Sequence, residues 1–440
     1  MSSSRRVVIT GLGLISPLGN SPEALWSALR EGKSGVDVLS RIPAEHLTTD
    51  IGGECREFSG DITDFGEVDK KLKRNIKKAL KLMCREIQLG VAAAQFAIDD
   101  SQIQGGYDPS RIGTLFGSDY IITEPGEFAS GVGNCIEEDS SNESKFDFEK
   151  WAENGLTKVE PTWLLKYLPN MPASHIAILN DLQGPSNSLT VREASANLAV
   201  GEATTIIRRG SADAMVVGST GSRIHPLRTV HVVLQEALAD RNAPGIDGDA
   251  SKACRPFEQQ RCGMVLGEGA GAVILEEFES AQKRGATIYG EIIGYGSSLV
   301  APGGVPNHEK AFENVILGSL ETANIKASDI GHVHAHGLSS VGVDQQEATA
   351  IKKLLGDVPV TAAKSYMGNL GAGSGLVEMI ASVMAMKNGQ LFPILNYEKP
   401  DDACPVNGLA DWGSPGEICL NMNCTPQGQA SSVVVKSLTT

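Results

Sequence analysis

A chain of 440 residues can bury a sizeable core, and its length admits two or three domains or one large duplicated one. With 41% hydrophobic and 21% charged residues, 49 glycines and only 5% aromatics, the composition fits a well-packed α/β protein rich in tight turns and excludes a disordered chain. A net charge of −15 argues against nucleic-acid binding, which draws on clustered cations, and no apolar run approaches the about 18 residues needed to span a bilayer.

In chain order, MSSSRRVVIT offers two arginines but only a four-residue apolar run, so the chain reads as a cytoplasmic protein without an export signal. Its eight cysteines (55, 84, 135, 254, 262, 404, 419 and 424) form no C-x-x-C pair, so reduced thiols are expected in place of a zinc site or a disulfide framework. VVITGLG (7–13) is a short strand running into a glycine turn. KKLKRNIKKALKLMCR (70–85) carries eight cations and no anion: Lys70, Lys71, Lys73, Arg74, Lys77, Lys78, Lys81 and Arg85. Leu72, Ile76, Leu80 and Met83 recur at helical spacing, which puts those cations on the exposed arc of one amphipathic helix. That arc is either a solvated face or a docking patch for an acidic partner.

Residues 91–103 read as a small-residue helix, followed at 111–119 by a strand ending in glycine. The polar, acidic stretch 121–168 reads as a surface cap. Gly184-Pro185-Ser186-Asn187-Ser188 breaks structure, Leu189-Thr190-Val191 is a β-like run, and a tightly packable helix extends from Glu193 to Arg208-Arg209-Gly210. GSADAMVVGST (210–220) is a buried strand, and GMVLGEGAGAVILEEF (263–278) reads as two adjacent strands around a glycine turn. ESAQKRG is a polar helix capped by Gly285.

Beyond Gly285 the first pattern returns. GEIIGYG (290–296) matches VVITGLG, and VILGSLETANI with DIGHVHAHG (315–325, 329–337) matches the helix and strand of 91–119. Such a long period indicates two similar α/β halves, 1–284 and 285–440, in place of a solenoid.

The strand-to-helix turn at Glu193 would place an anion at the positive end of a helix dipole, with free backbone N–H groups nearby. A thiol there would be acidified and supplied with an oxyanion donor, whereas a carboxylate is simply stabilised. On local grounds alone Glu193 is therefore a first-turn acid, worth about 0.3–1 kcal/mol if exposed.

Five blocks lead further: VVITGLGLISPLG (7–19), the turn at 184–188, RPFEQQRCGMVLGEGAGAVILEE (255–277), HAHGLSS (334–340) and KSYMGNLGAGSGLVE (364–378). In content and order they resemble the signature blocks of the β-ketoacyl-acyl carrier protein synthases, the condensing enzymes of fatty-acid and polyketide synthesis, over essentially Val7 to Val435. The resemblance implies an α/β thiolase fold, a five-layered α-β-α-β-α sandwich of two duplicated halves that forms dimers. It calls for no cofactor or metal.

In that family a cysteine at the helix start takes the acyl chain, and two histidines assist decarboxylation of the malonyl unit. Carried over by position, the first histidine is His336, the second falls on Asn369, the cysteine falls on Glu193, and the family's lysine is Lys364. The glycine-phenylalanine gate loop becomes Asn421 to Gln429, with Cys424, Thr425 and a stiffening Pro426. Leu338 replaces a hydroxyl in the turn ending at Ser340, Cys262 a usual aspartate and Met264 a usual phenylalanine. His332 and His334 share a strand face with His336 but are expected to be packing residues, not metal ligands.

A carboxylate accepting an acyl group would form a mixed anhydride, higher in energy than the thioester, so ordinary condensation is not expected. Cys424 lies in no helix-start context that would activate it. The resemblance therefore implies a chain-length-factor-like subunit, in which Glu193 fills the pocket and bonds to Asn369 or His336. Its partner would be a copy of itself or a cysteine-containing ketosynthase. The competing readings are a malonyl-carrier-protein decarboxylase, opposed by an ionised Glu193 beside a protonated His336, and an acyl-thioester hydrolase with Glu193 as base. Acyl carrier proteins are acidic, so Lys70, Lys71, Lys73, Arg74, Lys77, Arg208 and Arg209 are expected docking contacts.

Overall fold

The computed structural model describes residues 5–44, 47–138 and 143–438. Ten principal strands, β1 (Val7–Ile15), β2 (Ile112–Ser118), β3 (Ser186–Thr190), β4 (Ala214–Ser222), β5 (Leu266–Glu277), β6 (Gly290–Leu299), β7 (His332–His334), β8 (Pro359–Thr361), β9 (Ile418–Cys424) and β10 (Gln429–Lys436), make the framework. The first five pair in the order β1-β5-β4-β2-β3 and the second five in the order β6-β10-β9-β7-β8. In each set the first two pairings are antiparallel and the last two parallel. The duplication read from the repeated sequence patterns is thus a duplication of topology, and β1 and β6 adjoin through Val8–Glu291 and Ile9–Gly290.

Helices separate into three layers around these two sets. α2 (Arg85–Ser101) and α3 (Met171–Asn180) cover the outer face of the first. α6 (His308–Ala323) and α7 (Val341–Leu355) cover the second. Between the sets lie α4 (Ser195–Arg208) and α8 (Ser374–Asn388), each touching strands of both. α8 is buried from Ser374 to Met386, as a central helix with no solvent-facing side must be. Three buried amides stitch the halves: Asn421 donates to Asn197 Oδ1 at 2.9 Å, and Asn197 donates to Asn423 Oδ1 at 3.0 Å. No helix among the described residues is long and apolar enough to cross a membrane.

Three local expectations change. Residues 266–277 form one twelve-residue strand, not two around a turn. Gly267, Gly269 and Gly271 recur every second residue and so face one side, where a Cβ at Gly271 would meet Leu376 Cβ at 2.7 Å. Those glycines admit the segment 370–377 against the sheet; they do not bend the chain. The basic stretch 70–85 is also interrupted. α1 spans Lys70–Ala79, capped by Asp69, and Arg85 opens α2, where it is bound to Glu268 at 2.6 Å. Seven cations remain exposed, and Arg85 leaves the set. Lastly, the helix expected from Glu193 begins at Ser195, behind a tighter turn over Arg192–Ala194.

The cap 121–168 holds a short helix (Gly126–Gly133), a hairpin and helical turns around an aromatic contact of Phe128 with Trp163. Its centre at 139–142 lies outside the described residues. The turn at Arg284–Gly285, with Gly285 at φ +73°, follows a six-residue helix and leads into β6.

Candidate active site

Parallel strands carry their carboxyl ends to one edge of a sheet, and residues just past those ends meet there. In the first half, Asp119 follows β2, Arg192 and Glu193 follow β3, and Arg223 follows β4. In the second, His336 follows β7, Lys364 follows β8, and Cys424 and Thr425 end β9. The two edges face each other across α4 and α8. The resulting site is buried: Glu193, His336, Asn369 and Lys364 are each 1% exposed.

Glu193 does not stand free. Its Oε1 accepts from Arg223 Nη2 and, at 3.1 Å, from the Asn369 amide. Arg192 Nε lies 3.6 Å from Oε2, and Arg223 Nη1 lies 3.2 Å from Asp119. Arg192 reaches on to Glu236 at 3.2 Å and to Gln235 at 2.7 Å, on the segment after α5 (Pro226–Val233). Burial pushes the Glu193 carboxyl up, but the Arg223 and Arg192 charges outweigh it and hold the group below its ordinary range. Glu236, buried and beside that fixed negative charge, is pushed up instead. Arg192 adopts φ +51°, a left-handed conformation that costs a non-glycine residue of order 1–3 kcal/mol and is held here by its ion pairs.

The expected bond from Glu193 to Asn369 is present. Asn369 is fixed in turn, because its Oδ1 accepts from Gly371 N–H and the Ser374 hydroxyl. Lys364 donates to Glu378 at 2.5 Å and to His336 O at 2.8 Å, while Asn423 donates to the other Glu378 oxygen. His336 Nδ1 faces two donors at 3.4 Å, Cys424 N–H and Lys364 Nζ, which leaves Nε2 to carry the proton. Burial, and then the Lys364 charge, lower the His336 pKa well below its usual value. The expectation of a protonated His336 is therefore corrected. Desolvation and the nearby ammonium outweigh the attraction of Glu193, whose charge Arg223 already offsets.

A cavity of about 140 Å³ opens beside His336 and is lined also by Leu338, Ser340, Cys424, Thr425, Glu236 and His308. The four residues expected at the pocket and gate thus line the same cavity as His336. Glu193 does not line that cavity; it lies behind, within the ion-pair network. The Cys424 thiol is pushed well up by burial and by Glu347, so it is a neutral side chain and not a nucleophile at neutral pH. Thr425 to Gly428 form a tight turn between β9 and β10, closed by Thr425 N–H to Gln429 O at 2.8 Å.

His332 and His334 are buried and both bond to the Ser382 hydroxyl, at 3.1 and 2.8 Å, which is a packing role. Of the expected docking cations, Lys70, Lys71, Lys73, Arg74 and Lys77 are exposed on α1. Arg208 is withdrawn from that set. It is half-buried and donates to the carbonyls of Ile292 and Ile293, and it lies about 20 Å along α4 from Glu193. Arg209 shares that far end, exposed, with Nε bonded to Ser211. Asp119, Arg192, Arg223 and Glu236 were not anticipated. For Asp119, Arg192 and Arg223 the available signal was positional, a charged residue one or two places beyond a strand end; Glu236, after α5, carries no such mark.

The loop carrying His336 hangs from α7. Glu347 accepts from His336 N–H at 2.6 Å and Gly337 N–H at 2.9 Å, and Asp344 accepts from Leu338 N–H at 3.0 Å. Burial lifts the Glu347 pKa to about 8 from an ordinary 4.5, against those N–H bonds. A raised carboxyl keeps in the folded state a proton that the unfolded chain has released, so its contribution is full below pH 4.5 and is lost as pH rises towards 8. Between pH 7 and 8 the wild type is expected to lose stability more steeply than Glu347→Gln, by up to about 1.4 kcal/mol per pH unit. Urea unfolding at the two pH values checks this; equal slopes would exclude a titrating Glu347.

Models of the β-ketoacyl synthase N-terminal and C-terminal domains match residues 4–281 and 289–398. The chain is 31% identical over 417 residues to 3-oxoacyl-[acyl-carrier-protein] synthase 2 of Staphylococcus aureus (strain COL), covering 92% of each protein. Its fold is similar to a β-ketoacyl synthase from Burkholderia phymatum STM815, with TM-score 0.82 and 25% identity over 99% of this chain and 100% of that one. It is equally similar to the ishigamide ketosynthase/chain length factor, with TM-score 0.82 and 24% identity over the same shares. With these matches spanning both topological repeats, the chain belongs to the β-ketoacyl synthase family and has its α/β thiolase fold.

Proposed function

We propose that this protein is a non-condensing, chain-length-factor-like subunit of fatty-acid or polyketide assembly, pairing with an active, cysteine-containing ketosynthase. On this reading its two halves meet near Gly285, and Glu193 stands where the family's acyl-accepting cysteine stands. The observation that carries the reading is the Glu193–Arg223 pair. A carboxylate held ionised between two guanidinium groups, bonded to Asn369 and set behind the open cavity, is a structural plug and a poor acyl acceptor. The same pairing counts against a hydrolase, because a general base works best with a pKa near the working pH and Glu193 is held low.

The kinship to a chain length factor structure supports the partner class, and the exposed face of α1 suits an acidic carrier protein. A second reading has one observation in its favour. A neutral His336 with its proton on Nε2, lining the cavity, suits stabilisation of an enolate from malonyl-carrier protein.

The deciding experiment is mass spectrometry of the pure protein with malonyl- and acyl-carrier proteins, following carbon dioxide loss, thioester hydrolysis and adducts, beside Glu193→Gln and with or without a cysteine-containing ketosynthase. The subunit reading expects no turnover by the protein alone and a changed product length when the partner is present. Turnover by the isolated wild type that Glu193→Gln abolishes would make Glu193 catalytic and overturn it.

A further inference from the structure

A second, smaller cavity, of about 40 Å³, is lined by Arg228, His225, Glu86, Glu124, Arg85 and Arg41 among others. Arg228 is 2% exposed. Its Nη1 donates to Ser222 O and, at 3.2 Å, to Glu86, and its guanidinium lies 4.8 Å over the Tyr120 ring. Nε and Nη2, the other edge of the fork, have no protein partner. A buried guanidinium edge left without an acceptor is costly, of order 1–3 kcal/mol or more for a charged group.

The neighbouring histidine adds a third donor. His225 caps α5 through Nδ1, which accepts the N–H groups of Leu227 at 3.1 Å and Arg228 at 3.3 Å. That role fixes the proton on Nε2, which is buried, makes no hydrogen bond and lies 3.5 Å from Glu124 Oε1. Glu124 is itself half exposed and free to turn to solvent. Arg85 and Arg41 both face Glu268, so neither offers a free fork.

We propose that this cavity binds a small carboxylate anion of formate or acetate size, held side-on by the Nε–Nη2 edge of Arg228 and by His225 Nε2–H. Two parallel oxygens match the guanidinium edge, and the volume admits little beyond the carboxylate group. Glu86 does not compete for that edge, because it is engaged on Nη1 and burial lifts its pKa to about 7, which weakens it as a fixed counter-charge. The site is separate from the cavity at His336, and the proposal does not depend on whether Glu193 acts in catalysis.

The test titrates the full-length protein with sodium formate, balanced at constant ionic strength by sodium chloride, following Tm and the line width of 13C-formate. The expected result is a saturable rise in Tm with formate over chloride. Arg228→Lys keeps the charge but loses the fork, and is expected to weaken binding by about tenfold or more. His225→Asn keeps a capping oxygen and removes the Nε2 donor, so it guards against an Arg228 variant that fails to fold; it should also weaken formate. Glu86→Gln, which removes a negative charge lining the same cavity, should tighten it. No saturable effect in the wild type, or an equal effect in Arg228→Lys and His225→Asn, overturns the proposal.

Discussion

Arg223→Met is expected to cost about 3–5 kcal/mol of folding stability, because it strands the Glu193 carboxylate and Asp119 in the interior without their main counter-charge. Arg223 is fully buried, so water cannot take its place without opening the site. The double variant Glu193→Gln/Arg223→Met removes both charges of the central pair and is expected to recover most of the loss, since replacing a buried pair by neutral groups is often close to neutral. Urea unfolding of the two single variants and the double gives the coupling directly. A loss of less than about 1 kcal/mol in Arg223→Met would show that the pair is not the anchor described above.

The second large effect is a gain. Glu193→Cys is expected to take up an acyl group from acyl-carrier protein, seen as a mass increase on the chain, where the wild type takes up none. The turn keeps what a thiol nucleophile needs: a place just before α4, two guanidinium groups to stabilise a thiolate, and the Asn369 amide as a nearby donor. The shorter side chain also frees the volume of the carboxylate. A positioned thiol nucleophile is worth several orders of magnitude in rate, so uptake should be visible even at low efficiency. A folded Glu193→Cys protein that stays unmodified would place the block in Arg223, and Glu193→Cys/Arg223→Ala would then be the variant that loads.

Much of the fold was legible because the hydrophobic pattern repeats. VVITGLG and GEIIGYG became β1 and β6, and the matching helix-and-strand units became α2 with β2 and α6 with β7, in equivalent places of the two strand orders. Errors fell where one residue type serves two purposes. Glycines at 267, 269 and 271 read as a turn, yet they lie on one face of a continuous strand because a neighbouring segment packs there. Arg85 reads as one more exposed cation until Glu268, 183 residues away, is placed beside it.

At the site, His336, Leu338 and Ser340 were expected because they lie in a block with a local signature, and Cys424 and Thr425 because they fall where the family's gate loop would stand; all five line one cavity. Arg223 was missed because its only local mark is its place just past a strand, which does not say what it faces. An arginine after GSTGS is unremarkable in sequence, and it becomes the partner of Glu193 only when β3 and β4 flank β2 and bring their carboxyl ends together.

The sequence by itself determined the duplicated α/β plan, the family blocks and the presence of an acid at the turn before α4, since these depend on periodicity and on residues adjacent in the chain. Only the tertiary structure decided the state of that acid and of His336. A charge's free energy depends on the distance and burial of every other charge around it, and those are set by strands brought together from far apart in the chain.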